Sequence, residues 1–520
     1  MKLADSHGGR AGSLMATGRP IGADLPHAGA WLTLLVAMAV ALRLNNLAGD
    51  LWLDEITTAI DSRRASLGEL LTTYTFAGRH LLNSLLVRVS TELFGPSEWA
   101  IRLPAWLFGV AGVPATYFLA RSVFNRREAV LTAGLVATSY HHVFFSLNAR
   151  GYTGYLFFVT LGTAFLLRAL ESGRRRDWGL YAAAMWLAGA TQLLAVFAAA
   201  AHALVVAAAW WKASRDGRGW RTGVRRAAGA GGLVALGWLL VYAPVLPQIA
   251  AYTATYEQPG LGFAAFSLEH LREWIRGLAV GFGAGTVVGG LLAAGLALLG
   301  SVAVLRWRPL FGLALLLPLV VQASYQLLAG HQISPRFYIW ILPAGCLILI
   351  AAAALAARRA GESTAVRSRW TVRWTAMAPV LLVGLIAAAS LTSLWSRRDV
   401  PKQASRASLD WILAHRQAGE PIAAVHLARW GLRFYGPRAG LAEGTDYAIV
   451  TSSAELAKLR QSGGRVWVVT TFHRALRLEH GEILAYLEDH FERVREFPAT
   501  VGDAEVVIWL ETQRPQTGAG

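Results

Sequence analysis

Two adjacent carboxylates, Asp54 and Glu55, lie in the run Leu51-Trp52-Leu53-Asp54-Glu55, directly beyond the first long apolar stretch. Acids at a membrane interface are costly to desolvate, so a pair of them suggests an occupied site. The alternative is structural: Asp54 would cap a helix beginning near Ile56. Arg150 lies in the short connector Ser146-Leu147-Asn148-Ala149-Arg150-Gly151-Tyr152, and Arg336 in Gln332-Ile333-Ser334-Pro335-Arg336-Phe337-Tyr338. Both sit at headgroup depth, where a lipid-linked phosphate also sits. An interfacial arginine snorkelling to water is the competing reading for each. Arg43 falls inside an apolar run, and Arg102 at the edge of another, with Glu98 as a local ion partner. His80 follows Arg79, and a lone histidine is more often a polar filler than a ligand. Tyr152 and Tyr338 stand beside Arg150 and Arg336 as supporting aromatics. The adjacent His141 and His142 lack the i, i+4 spacing of a helical metal site.

The elements that must position these residues are membrane helices. The 520-residue chain is 55% hydrophobic with only 16% charged residues, and its mean hydropathy is +0.41. A soluble surface needs more charge than that. Apolar runs at about 28–47, 99–120, 129–147, 152–170, 178–194, 195–212, 227–247, 286–305, 309–329, 336–357 and 374–395 predict about eleven spans. Leu180 to Trp211 is too long for one, so it divides at a tight turn near Gln192. The first run reads as an uncleaved anchor, although an Ala-x-Ala near Ala39 also fits a signal peptide. The net charge of +17 is concentrated in short connectors such as Arg174–Arg176 and Arg358–Arg373. That is the imprint of the positive-inside rule and needs no nucleic acid. Starting inside, the count puts every Arg-rich connector in the cytoplasm. It puts Asp54, Glu55, His80, Arg150 and Arg336 on the outer face of a cytoplasmic membrane. A carboxylate converging with several cations there suits transfer from an anionic lipid-linked donor.

The first outer segment, 48–98, is amphipathic. Leu67, Leu70, Leu71 and Tyr74 share a helical face, as do Leu82, Leu85, Leu86, Val89 and Leu93, a pattern of helices lying in the interface. Residues 268–278 show the same pattern. After Trp395 the composition becomes ordinary. β-type runs at Ile422–Leu427, Arg465–Thr471 and Ala504–Leu510 alternate with helical patterns at Ser405–Arg416, Ser453–Gln461 and Glu482–Phe491. The expected division is a disordered cytoplasmic tail (1–27), a membrane domain (28–397), a small extracytoplasmic α/β domain (398–512) and a tail (513–520). The single cysteine, Cys346, excludes an intrachain disulfide. HExxH, CxxC, GxSxG and P-loop motifs are absent from the sequence, which disfavours metalloprotease, redox, hydrolase and nucleotide-driven chemistry.

The order LWLDE, GRHLLNSLL, FGPSEWAIRLPAWLFG, FFSLNARGY and SPRFYIWILP resembles bacterial glycosyltransferases of the C-type membrane (GT-C) fold. These are relatives of the protein O-mannosyltransferases and the lipid A aminoarabinose transferases. The resemblance covers roughly residues 30–400. It implies that Asp54 is the catalytic base with Glu55 its neighbour, and that Arg150 holds the donor phosphate. Arg336 matches the arginine before the late aromatic pair, and Arg43 and His80 join the donor-phosphate group. Leu81 replaces the proline of the His-Pro pair of many relatives, and Asn148 stands where relatives often have Glu. The implied reaction moves a monosaccharide from a polyprenyl-phosphate donor to a hydroxyl of a glycan, lipid or protein, with inversion. The partners are the donor, the acceptor and membrane lipids. A divalent cation could assist, but the sequence holds no complete ligand set. A lipid or polysaccharide flippase or transporter would show broken helices and charges near the midplane. A polysaccharide polymerase or ligase would share the outer basic site but not the LxLDE element.

Overall fold

The computed structural model describes residues 24–64, 66–74, 80–217, 221–256, 287–329, 335–362, 369–461 and 465–512. The amphipathic pattern at 268–278 lies outside them. The chain forms two compact units. One comprises the residues up to Leu44, Ser66–Leu86 and Arg102–Trp395. The other comprises Asn45–Ala65, Val87–Ile101 and the chain from Ser396 onward.

The first unit is a helical bundle. Among the described residues seven helices are long and apolar enough to cross a membrane: Glu98–Ala120, Tyr152–Ser172, Ala195–Arg215, Arg221–Ala251, Pro309–Leu328, Pro335–Arg359 and Met377–Ser396. Ala28–Leu44 and Ala294–Trp307 are shorter apolar helices. The protein is a multi-pass membrane protein on this ground. Tyr152–Ser172 is 78% buried over its apolar window and Met377–Ser396 only 17%, so the first is central and the second faces the surroundings. The run predicted as one span at 129–147 is two helices, Arg126–Thr138 and Tyr140–Ser146. Ser139 breaks it: its hydroxyl accepts the His142 N–H and starts the second helix. The Tyr140 N–H donates to Ser390 Oγ at 2.6 Å. The long run from Leu180 divides at Gln192, between Arg175–Thr191 and Ala195–Arg215.

Two helices of the first connector flank His80 in the chain. Leu67–Thr72 opens with a capping box of Ser66 and Glu69. Leu70 is buried while Leu67 and Leu71 are exposed. Leu81–Phe94 follows, with Val87 buried and Val89 and Leu93 exposed.

The second unit is built on a five-stranded mixed sheet: β1 (Ile422–Val425), β2 (Tyr447–Val450), β3 (Trp467–Thr470), β4 (Phe491–Phe497) and β5 (Val506–Glu511), in the order β2-β1-β3-β5-β4. β1 runs parallel to β2 and β3, and β5 antiparallel to β3 and β4. Interior strands β1 and β3 are buried along their whole length, which is why they read as continuous apolar runs. Strand β4, FERVREF, is a charged edge strand, and neither it nor the short β2 was visible as a strand in the sequence. Helices Ser405–His415, Ser453–Gln461 and Gly481–His490 lie where the sequence placed helical patterns. Val468, Leu487 and Trp509 are buried in the core between sheet and helices.

Residues 45–65 and 87–101 enter this unit through polar contacts. Asp50 Oδ2 accepts the backbone N–H groups of Arg406 and Ala407 at 3.0 Å each, capping Ser405–His415. The Arg406 guanidinium meets Asp50 at 3.1 Å and Glu98 at 3.2 Å. It is 42% exposed, so screening leaves the two backbone bonds as the main stabilisation. Asp50→Ala should therefore destabilise this unit by about 1–2 kcal/mol. Limited proteolysis should cut faster after Ser396, and unchanged cleavage would remove the capping assignment.

Candidate functional site

In the bundle, His80 packs against the Arg150–Tyr152 segment, and the charges of both Arg150 and Arg336 act on its ring although the three are far apart in the chain. His80 is buried, with its ring edge-on to Tyr152 at 5.2 Å between centroids. Burial holds its pKa well below the ordinary histidine value, and the nearby Arg150 charge lowers it further. A hydrogen bond to the Thr191 backbone opposes this, and Arg336 adds a smaller lowering. The ring is neutral at neutral pH, and the two charges that act on it are both guanidinium groups.

The Arg150 segment is held on both sides. Asn83 Nδ2 donates to the Ala149 carbonyl at 3.0 Å, tying the start of Leu81–Phe94 to the residue before Arg150. Arg150 is buried, at 4% exposure, and the helix Tyr152–Ser172 begins two residues later. A cation beside a helix N-terminus favours an anion. Gly151 is required by close approach. A Cβ there would lie 2.7 Å from His80 Nδ1 and 2.8 Å from Thr191 Cγ2. Gly151→Ala should cost about 1–3 kcal/mol by overpacking. The unfolding midpoint of the detergent-solubilised protein reads this, and an unchanged midpoint would show that the His80 ring has room to retreat.

Arg336 is exposed near the start of the 3-10 helix Pro335–Ile341, its guanidinium 5.2 Å from the Phe337 ring centroid. Two glutamines of Pro309–Leu328 pin this segment. The Tyr338 hydroxyl donates to Gln326, Trp340 Nε1 donates to Gln322 Oε1 at 3.1 Å, and Gln322 Nε2 donates to the Phe337 carbonyl at 3.2 Å. Sequence reasoning passed over Gln322 and Gln326, although polar side chains four apart in an apolar span were the available signal.

Arg43 is fully buried and already engaged. Nε donates to Ser146 Oγ at 3.0 Å, Nη1 to the carbonyls of Ala39 (2.9 Å) and Ala137 (3.2 Å), and Nη2 lies 2.7 Å from His142 Nδ1. One guanidinium thus joins Ala28–Leu44, Arg126–Thr138 and Tyr140–Ser146. Arg102 is also buried, on Glu98–Ala120.

Asp54 and Glu55 belong to the second unit. Leu53–Arg64 starts earlier than the sequence suggested, so both acids occupy its first turn rather than a cap position. The positive end of the helix dipole favours them there. The flanking backbone is fixed: the Leu51 N–H donates to the Tyr435 hydroxyl at 2.9 Å, and the Leu53 N–H to Gln403 Oε1 at 2.9 Å. Glu55 is fully buried, with Lys402 Nζ 4.0 Å from Oε1 and the Trp52 N–H 3.4 Å from Oε2. Asp54 is half-buried, open enough to meet a ligand. The opposite end of the same helix contributes Ala59, Ile60 and Arg63 to a cleft of about 300 Å³, completed by Arg433, Phe434, Pro437 and Arg438. Among the described residues, no cluster with metal-ligand spacing includes Asp54, Glu55 or His80.

A bundle of apolar helices with interfacial helices in its first connector, followed by a small mixed sheet, defines the architecture. The chain is a multi-pass membrane protein with the GT-C fold. Residues 80–224 match the family of dolichyl-phosphate-mannose-protein mannosyltransferases. The fold is similar to that of ArnT from Cupriavidus metallidurans in the apo state, with TM-score 0.54 and 15% identity, covering 93% of this chain and 98% of that one. The same ArnT bound to undecaprenyl phosphate gives 0.53 and 16% over equal shares. The archaeal oligosaccharyltransferase AglB from Archaeoglobus fulgidus, in complex with an inhibitory peptide and a dolichol-phosphate, gives 0.50 and 12%, covering 89% of this chain and 72% of that one. No curated protein sequence matches the chain.

Proposed function

We propose that this protein transfers a monosaccharide from a polyprenyl-phosphate donor to an acceptor hydroxyl at the extracytoplasmic face of a bacterial cytoplasmic membrane. The observation that carries the reading is the packing of the buried His80 against the Arg150–Tyr152 segment of a GT-C bundle, where the charges of Arg150 and Arg336 both act on its ring. Arginines suit a phosphate because their fixed donor fork matches its oxygens. In the mechanism, Asp54 takes the acceptor proton as the hydroxyl attacks the anomeric carbon. The bond to the phosphate oxygen breaks, and Arg150 and Arg336 stabilise the charge that builds there. A phosphate leaving group is already acidic, so no second carboxyl need protonate it, unlike in glycosidases. Attack opposite the leaving group inverts the anomeric centre. Arg43, with four of its N–H bonds engaged inside the bundle, contributes by holding the helix that leads to Arg150. Glu55 supports the helix turn that presents Asp54. The undecaprenyl phosphate and dolichol-phosphate bound by the similar structures support a lipid phosphate as donor carrier. The membrane domain (28–397) would hold the donor, and the C-terminal domain (398–512) would lie on the extracytoplasmic side.

The test is incubation of the purified protein with a panel of prenyl-phosphate sugars and candidate acceptors, measuring free prenyl phosphate. Release that depends on both donor and acceptor is expected. No release from any donor, by protein that binds prenyl phosphate, would overturn the transferase reading.

A further inference from the structure

The C-terminal sheet holds a second group of side chains that the transfer reaction does not use. His426 directly follows β1, while Glu479 and His480 lie at the end of the helix His473–Glu479, which follows β3. β1 and β3 are parallel neighbours, so both segments leave the carboxyl end of the sheet. From β1 the chain passes to β2 on one flank, whereas from β3 it goes on to β4 at the other. Connections that diverge between adjacent parallel strands open a crevice at their carboxyl ends, the usual ligand position in such sheets.

We propose that this crevice binds a divalent transition-metal ion, of the zinc and cobalt class, through His426, His480 and Glu479. One ligand atom from each lies within 4.8 Å of the other two. His426 Nε2 is 3.7 Å from Glu479 Oε2, close to the roughly 3.4 Å between two ligands of a tetrahedral zinc. The burial of His426 points the same way. The residue is 7% exposed, yet its Nε2 has no hydrogen-bond partner among the described residues. A buried nitrogen without a partner is costly, and a metal ion would satisfy it. His426 also adopts a left-handed backbone, φ 52°, uncommon for a non-glycine residue. Phe472, just beyond β3, does the same with φ 51°. Strain retained in both segments that leave the crevice is typical of ligand sites. Glu482 Oε1 lies 3.8 Å from His480 Nδ1, beyond hydrogen-bond distance but placing a carboxylate beside that ring, the kind of partner that orients metal-bound imidazoles. Arg429 brings positive charge near His426, which Glu479 and Glu482 offset. Two imidazoles select borderline transition ions over magnesium or calcium, which prefer oxygen donors.

The full-length protein, purified in detergent through a tag without histidine and stripped with a chelator, should be dialysed against zinc or cobalt(II). Metal analysis should find one equivalent retained, with a cobalt absorption spectrum of low coordination number and no competition from excess magnesium. His426→Ala and His480→Ala should each weaken binding at least tenfold, and Glu479→Gln should weaken it while leaving both imidazoles. The exposed His415 should be replaceable by alanine without effect. Far-UV and near-UV circular dichroism should show that each variant is folded. The proposal falls if the wild-type protein retains no metal, if magnesium competes equally, or if a folded His426→Ala/His480→Ala double variant binds as the wild type does. These readouts do not involve sugar transfer, so the site stands or falls separately from the catalytic reading.

Discussion

Asp54→Asn is expected to reduce sugar transfer by 10²-fold or more while the protein stays folded and inserted. A positioned general base contributes roughly 10²–10⁴-fold, and the amide keeps the shape of the side chain without its basicity. The competing structural role is small. Asp54 lies in the first turn of Leu53–Arg64, where loss of one charge costs about 0.3–1 kcal/mol of helix-dipole stabilisation. That cannot account for a hundredfold loss in a protein that remains folded. Glu55→Gln makes the contrast. Glu55 is buried beside Lys402 and the Trp52 N–H, so its replacement should act chiefly on expression and thermal stability. Turnover measured at saturating donor, on protein matched for folded fraction, separates the two. Near-normal turnover in Asp54→Asn would end the base assignment.

Arg150→Ala should lower donor turnover by about 10²–10³-fold, the range for removing one group that stabilises developing negative charge. Arg150→Lys should recover only part of this, because an ammonium keeps the charge but not the bidentate fork. The variant also has a readout outside catalysis. Arg150 is the larger of the two charges that lower the His80 pKa, so Arg150→Ala should move that pKa upward, toward but not to the ordinary histidine value, since burial remains. An NMR titration of the His80 ring would follow it. If donor affinity, turnover and the His80 titration were all unchanged, the phosphate role of Arg150 would be lost.

Much of the bundle is legible in the sequence because a long apolar run has few alternatives in a bilayer. The division at Gln192 follows from length alone. The break at Ser139 does not, because it rests on one hydroxyl choosing a backbone N–H over helix continuation. In the sheet, β1 and β3 stand out as apolar runs, whereas β4 hides behind alternating Arg and Glu. The union of residues 45–65 with the chain after Ser396 is invisible to any local pattern. Its bonds, such as Asp50 to the Arg406 N–H, span 356 residues. The candidate site divides in the same manner. His80, Arg150 and Arg336 could be singled out by type and position, but the packing of His80 on the Arg150 segment is a property of the folded bundle. His426 and Glu479-His480 were missed because a motif of fixed spacing cannot see ligands brought by two different strands.

The Arg43 clamp constrains biogenesis. Its His142 and Ser146 partners lie 99 and 103 residues downstream, so they are still unsynthesised when Ala28–Leu44 reaches the translocon. Until they emerge, the guanidinium must wait at the lipid boundary with its head in water, which its position next to the helix end allows. Final seating of the first helix is therefore a late step of assembly. Loss of His142 should leave targeting intact and stall maturation afterwards, as a pulse-chase of protease resistance in nascent chains would register.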